Sequence, residues 1–221
     1  MTEMTLQDIL KEPTRKKFVQ TILETNEIEF KLLYTNYLKI SETNARHHLK
    51  QLEDNQIVTR SKKAGSKSIF LHLNPKFLEE ARGFFDIPRI YAYLGFVGLK
   101  GAQQVTDIIS TLISNQWTFK KLIVYTTQQT FDTMKEDILW KQLLEKFTDS
   151  ELLAIERSDY NAIHETLREK IEDLLVDYSL VTDVTGLTKL HSLALYSLAR
   201  VYGLKRVYIP EDDSQSVLTL P

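Results

Sequence analysis

From Pro88 onward, short β-branched runs alternate with stretches of helical apolar spacing, and that alternation leaves few folds open. Strands are expected over residues 89–94, 121–125, 152–156, 178–182 and 206–209, with a further short one over 217–220. Between the first two, Ala102, Val105, Ile108, Ile109 and Leu112 recur on one helical face. The next helix is expected to run from Phe131 through Met134, Ile138, Leu143 and Leu144 to Phe147, and another carries Ile163, Leu167, Ile171, Leu174 and Leu175. Strand, helix, strand in this order builds an α/β, Rossmann-like open sheet that is mostly parallel.

Ligands of such sheets bind where loops leave the carboxyl ends of the strands. Three loops are candidates. The first, Gly95-Phe96-Val97-Gly98-Leu99-Lys100-Gly101, has three glycines, but they are not in GxGxxG register and no acidic residue closes a strand about twenty positions on, which disfavours a dinucleotide. The second supplies the hydroxyls of Thr126 and Thr127. The third, Thr185-Gly186-Leu187-Thr188-Lys189, runs from a β-branched strand into a long apolar helix, so its threonines and lysine stand where helix N–H groups favour an anion. Leu190, Leu193, Ala194, Leu195, Leu198, Ala199 and Val201 of that helix spread around more than one face, which calls for cover on two sides, most simply by a second subunit in a homodimer.

The first third of the chain has a different pattern. Phe18, Val19, Ile22 and Leu23 follow Pro13 at helical spacing, and a second helix is expected over 29–38. Ser41 is placed to cap a third, burying Ala45, His48, Leu49 and Leu52 and showing Thr43, Asn44, Arg46, His47 and Lys50. Strands are expected over 57–60 and 68–73, joined by Lys62-Lys63-Ala64-Gly65-Ser66-Lys67. Three helices followed by a basic hairpin are a small α+β winged helix-turn-helix pattern over residues 1–74. Asn44, Arg46 and His47 can offer donors to base edges in a major groove, with Thr43 and Lys50 beside them, while Lys62, Lys63 and Lys67 can neutralise phosphates. The segment 75–87, with Phe77, Leu78, Ala81, Phe84 and Phe85, is too apolar for a free linker and is expected to be a helical connector to a domain spanning 88–221.

Charge divides along the same line. Residues 1–85 carry 14 Lys and Arg against 11 Asp and Glu, net +3; residues 86–221 carry 14 against 19, net −5; together they give the overall −2. A basic first part and an acidic second part imply separate partners. With no cysteine and five scattered histidines, neither a disulfide framework nor a metal site is expected. No window approaches 18 uninterrupted apolar residues, so the expectation is a cytoplasmic protein without a membrane span.

Two resemblances bear on function. The stretch ETNARHHLKQLEDNQIVTRSKKAGSKSIFLHL resembles the recognition helix and wing of bacterial and archaeal winged-helix regulators. VTDVTGLTKLHSLALYSLARVYGLKRVYI, together with YLGFVGLKGAQQV, resembles the CRISPR-associated Rossmann-fold (CARF) sensor domains, with Leu187 where the family has a second glycine and with the DNA-binding part first in the chain rather than last. The CARF resemblance implies a homodimer that binds a cyclic oligoadenylate second messenger, most often the tetra-adenylate. It places Gly186, Thr188 and Lys189 at phosphate or ribose and Gly95, Phe96 and Gly98 on the adenine side. Together the two imply a CRISPR-associated transcription regulator of antiviral defence, binding double-stranded DNA and a cyclic oligoadenylate, with no cofactor and no catalytic residue. The alternatives are a ring nuclease that cleaves its messenger and a winged-helix regulator of another nucleotide or metabolite.

Overall fold

The computed structural model describes residues 5–147, 149–155, 159–186, 188–210 and 217–220. The chain divides into two compact units, Met1–Pro88 and Arg89–Pro221.

The first unit opens with α1 (Leu6–Ile9) and α2 (Pro13–Thr25), whose first residue is a proline, where a missing N–H leaves no bond unmade. A short strand β1 (Ile28–Glu29) follows, then a helical turn α3 (Phe30–Leu32) that widens into π-type turns over Leu33–Leu38 and stops at Lys39 with φ 54. α4 (Glu42–Asp54) is capped by Ser41, whose Oγ accepts from the Asn44 N–H at 3.3 Å. It buries Ala45, His48, Leu49 and Leu52, the four that its spacing predicts. β2 (Val58–Ser61) and β3 (Phe70–Leu73) complete an antiparallel sheet in the order β1-β3-β2. A 3-10 turn (Pro75–Phe77) leads into α5 (Leu78–Phe84), which packs on α1 and α2 within this unit and buries Leu78 and Ala81.

Two local expectations are corrected here. Glu29 belongs to a strand and not to the second helix, because Ile28 and Glu29 pair with Leu71 and Phe70. The hairpin's second strand begins at Phe70 rather than at residue 68, since the Ser68 hydroxyl donates to Glu29 Oε1 at 2.9 Å and Phe30 N–H takes the Ile69 carbonyl at 2.8 Å.

In the second unit β4 (Tyr91–Phe96), α6 (Gly101–Ser114), β5 (Phe119–Thr126), α7 (Gln128–Met134), α8 (Ile138–Lys146) and β6 (Glu151–Ala154) come first. They are followed by α9 (Tyr160–Leu174), β7 (Ser179–Asp183), α10 (Lys189–Val201), β8 (Lys205–Tyr208) and β9 (Leu218–Leu220). The six strands form one sheet in the order β6-β5-β4-β7-β8-β9, parallel except for β9. This is a Rossmann-like sheet. The interior strands β4 and β7 are buried almost throughout, as strands covered by helices on both faces must be. From β4 the chain winds outward to β6, then crosses back to β7 on the other side of β4. Right-handed crossovers therefore put α6, α7 and α8 on one face and α9 and α10 on the other.

The helix expected over 131–147 is two helices. Asp137 interrupts it by accepting from the Leu139 N–H at 2.7 Å, so a cap replaces a continuing turn and lets both Met134 and Trp140 reach the core. The third strand ends at Ala154, and the last residue expected for it, Glu156, lies outside the described residues. The fourth runs one residue beyond expectation, to Asp183.

Candidate functional site

The sheet reverses its direction of winding between β4 and β7, so the connections leaving their carboxyl ends part in opposite directions and open a crevice. The segment after β7 lies at that point. Asp183 is fully buried, and its carboxylate accepts from the Tyr93 hydroxyl at 2.8 Å and from the Thr185 N–H at 2.8 Å. Burial pushes the Asp183 carboxyl up, against the opposing pull of its Thr185 and Tyr93 hydrogen bonds. Burial likewise pushes the Tyr93 phenol well up, helped by the neighbouring Asp183 charge. One turn further, Thr185 Oγ1 accepts from the Ile209 N–H at 2.8 Å, and the Ser192 hydroxyl donates to the Gly186 carbonyl at 3.0 Å. These bonds tie the turn to β4, β8 and α10 at once.

Glycine is required here by close approach. A Cβ on Gly186 would sit 2.2 Å from the Phe96 carbonyl oxygen, and one on Gly95 would sit 2.2 Å from the Tyr93 hydroxyl. Gly95 therefore makes room for the Tyr93–Asp183 pair, and Gly186 lets the turn lie against the end of β4.

Above the turn is a cavity of about 480 Å³. Val184, Thr185 and Gly186 of the turn line it, facing Thr188, Lys189, Ser192, Leu193 and Tyr196 of α10 and Tyr208 at the end of β8. Lys189, the first residue of α10, is exposed, and Thr188 Oγ1 shares a hydrogen bond of 2.7 Å with buried His191 Nδ1. The helix start and its lysine favour an anion at this end. A smaller hollow of about 120 Å³ lies on the other side of Thr185, bordered by Lys100, Gln104 and Asp107.

Thr185, Gly186, Thr188 and Lys189 come together around one cavity. The other sequence candidates lie elsewhere. Gly95 is interior to β4; Phe96 is buried and packs edge-on against His191 at 5.3 Å; the Gly98 N–H donates to Gln104 Oε1 at 3.2 Å. The Thr126 hydroxyl, fully buried, donates to the Val97 carbonyl at 2.9 Å, and Thr127 caps α7. Leu187 lies outside the described residues. Ser192, Leu193, Tyr196 and Tyr208 were not among the ligand-site candidates read from sequence. The first three share the face of Lys189 at helical spacing, and that is the signal that finds them.

In the first unit Thr43, Asn44, Arg46, His47 and Lys50 are exposed on α4, and Lys62, Lys63 and Lys67 are exposed on the loop between β2 and β3. Arg46 pairs with Glu42, its Nε at 2.8 Å, and lies over Phe30; Lys63 pairs with Glu27 and stands 4.3 Å from the Phe70 ring centre. His48 is a core residue beside Glu12, 3.4 Å away, and burial pulls its imidazole below the usual value more than Glu12 raises it. Among the described residues no cluster of three metal-ligating side chains occurs, and no helix is long and apolar enough to cross a membrane.

Fold and site together define an open α/β unit whose switch-point turn presents threonine, glycine and lysine at a helix start, preceded in the chain by a small helical unit with a three-stranded sheet. No protein-family model matches the sequence, and no curated protein matches it. Solved structures do. Can2 from Sulfobacillus thermosulfidooxidans, in complex with cyclic tetra-adenylate, is 19% identical, with 59% of this chain and 34% of that one covered and a TM-score of 0.46. Protein VC1899 from Vibrio cholerae is 16% identical, with 59% of this chain and 33% of that one covered and a TM-score of 0.48. A transcriptional regulator homologue from Pyrococcus horikoshii OT3 is 22% identical, with 37% of this chain and 81% of that one covered and a TM-score of 0.33. This chain thus spans about a third of the length of Can2 and of VC1899.

Proposed function

We propose that this chain is a ligand-responsive transcription regulator whose second unit binds a cyclic oligoadenylate and whose first unit is a winged helix that binds double-stranded DNA. The observation that carries it is that Thr185, Gly186, Thr188 and Lys189, at the sheet's switch point, line one cavity with a helix N-terminus at one end. A phosphodiester ligand suits that combination of hydroxyls, helix N–H groups and one lysine. The protein acts as a homodimer in this reading, supported by α10: Leu190, Leu193 and Val201 are 40%, 56% and 48% exposed along one stripe, while Ala194, Leu195, Leu198 and Ala199 fill the buried face. Two copies then offer two lysines to a symmetric ring. In this reading the cavity binds without cleaving, which is supported by the Thr188 hydroxyl's bond with His191 Nδ1 and the Ser192 hydroxyl's bond to the Gly186 carbonyl. DNA binding draws support from the exposed face of α4 and the three lysines of the following loop.

The test is a thermal-shift series with cyclic tri-, tetra- and hexa-adenylate, followed by gel shifts on DNA upstream of the gene at fixed salt. One ring size is expected to raise the unfolding midpoint, since a ligand of the folded state alone must stabilise it, and to change DNA affinity. A ring that stabilises the protein yet leaves DNA affinity unchanged removes the coupling; linear product from labelled ring restores cleavage.

A further inference from the structure

We infer that Arg206 is a second cationic anchor of the α10 cavity, placed to receive a phosphate of the ligand at the end away from Lys189; this rests on reading that cavity as the site of a phosphodiester ligand. Arg206 lies on β8 two residues before Tyr208, so strand alternation sends both side chains to the same face of the sheet. That face carries α10. The guanidinium carbon of Arg206 lies 5.3 Å from the centre of the Tyr196 ring, and Tyr196 and Tyr208 both line the cavity.

Its nitrogens are in an unusual position. Nε and Nη1 are enclosed, and neither has a hydrogen-bond partner among the described residues. Arg46, Arg60, Arg82 and Arg168 each meet a carboxylate instead. A guanidinium is always charged and holds five N–H donors in a rigid fork shaped for carboxylate or phosphate. Enclosed donors without acceptors cost free energy, and a guanidinium that turns past Tyr196 to meet an oxyanion recovers it.

Position along the helix narrows the ligand class. Tyr196 stands seven residues beyond Lys189, about 10 Å along the axis of α10. Lysine therefore marks one end of the cavity, and Arg206, outside its lining, stands behind Tyr196 towards the other. A ligand engages both only if it carries two separated anionic groups, as successive phosphates of an oligonucleotide do; a compact anion engages one.

The experiment compares full-length wild type with Arg206→Met, Arg206→Lys and Lys189→Met, without ligand, with inorganic pyrophosphate and with cyclic tetra-adenylate. Methionine keeps an apolar chain against the Tyr196 ring while removing the donors. Ligand-free Arg206→Met is expected to unfold within about 2 °C of wild type or above it, because donors without acceptors do not support the free fold. Its affinity for cyclic tetra-adenylate is expected to fall about 10- to 100-fold, with part regained in Arg206→Lys. Pyrophosphate is expected to raise the midpoint of wild type more than that of Arg206→Met, which keeps Lys189. If pyrophosphate separates the two proteins while the cyclic ligand binds neither, the arginine site stands and the cyclic-oligoadenylate reading falls. A ligand-free midpoint lowered by more than about 5 °C in Arg206→Met makes the arginine structural and overturns the inference. So does equal stabilisation of wild type and Arg206→Met by both anions, or no stabilisation of wild type by either.

Discussion

Replacing Gly186 with alanine tests how the candidate site is built. The added Cβ would lie 2.2 Å from the Phe96 carbonyl oxygen and 2.9 Å from its carbon, against ordinary carbon–oxygen contacts of about 3.3 Å. The turn or the end of β4 must therefore give by about 1 Å. Phe96 is held in register with Tyr125 of β5, so the turn is the part that moves. Moving it strains three bonds: Thr185 N–H to Asp183, Ile209 N–H to Thr185, and Ser192 hydroxyl to the Gly186 carbonyl. Each is worth about 1 kcal/mol, and overpacking by one methyl typically costs about 1–3 kcal/mol, so a loss of about 2–4 kcal/mol is expected. Conformation adds nothing, because Gly186 does not occupy the left-handed region. Gly98→Ala is the control: no atom lies within 4 Å of its Cβ position, and the change is expected to fall within about 0.5 kcal/mol of wild type. Both tryptophans, Trp117 and Trp140, lie in the second unit, so tryptophan fluorescence during urea unfolding reports on that unit alone. Equal midpoints for Gly186→Ala and wild type, or an equal loss in Gly98→Ala, would refute the close-approach argument.

Alkaline pH is expected to weaken the second unit. Burial raises the phenols of Tyr93, Tyr125 and Tyr202 above their ordinary value near 10, so the folded state keeps protons that the unfolded state releases, and stability present below pH 10 is lost as the pH climbs beyond it. Urea midpoints at pH 8, 10 and 11 measure this; Tyr93→Phe should start lower, having lost the Asp183 bond, but decline less steeply, and an unchanged decline counts against the Tyr93 contribution. Replacing Lys62, Lys63 and Lys67 together by alanine is expected to weaken binding to a random duplex and to lower the slope of log affinity against log salt by up to about 0.9 per lysine; an unaltered slope places the phosphate contacts elsewhere. Leu193→Asp, at an exposed position, is expected to turn a dimer into a monomer in sedimentation equilibrium with the unfolding midpoint of the second unit retained; a dimer that persists puts the interface on another face.

Local rules carried much of this architecture. Periodicity alone separated the strands from the helices of the second unit, Ser41 announced the start of α4, and the apolar spacing of that helix named its buried face. The turn from Thr185 to Lys189 was legible because glycine, threonine and lysine stand together at a strand-to-helix junction. Legibility failed where a local signal competed with a partner far along the chain. Ile28 and Glu29 became a strand because β3 was there to receive them. The break at Asp137 was local, a cap on the Leu139 N–H inside a run of otherwise helical spacing.

Residue type and spacing within a window of a dozen positions determined the kinds and order of the elements, the two differently charged parts of the chain, and the strand-to-helix turn that sets threonine, glycine and lysine at a helix start. What only the tertiary structure decided is which of those residues share a cavity. Tyr93 reaches Asp183 across 90 positions, Gly95 leaves room for that phenol on its own strand, Gly186 is small because the Phe96 carbonyl from β4 occupies the space, and Thr126, chosen for its hydroxyl, spends it on Val97. Tyr196 and Tyr208 join the cavity, and Arg206 comes against Tyr196, for the same reason: strand order and register set which side chains converge, and these depend on packing of the whole sheet, which no short window contains.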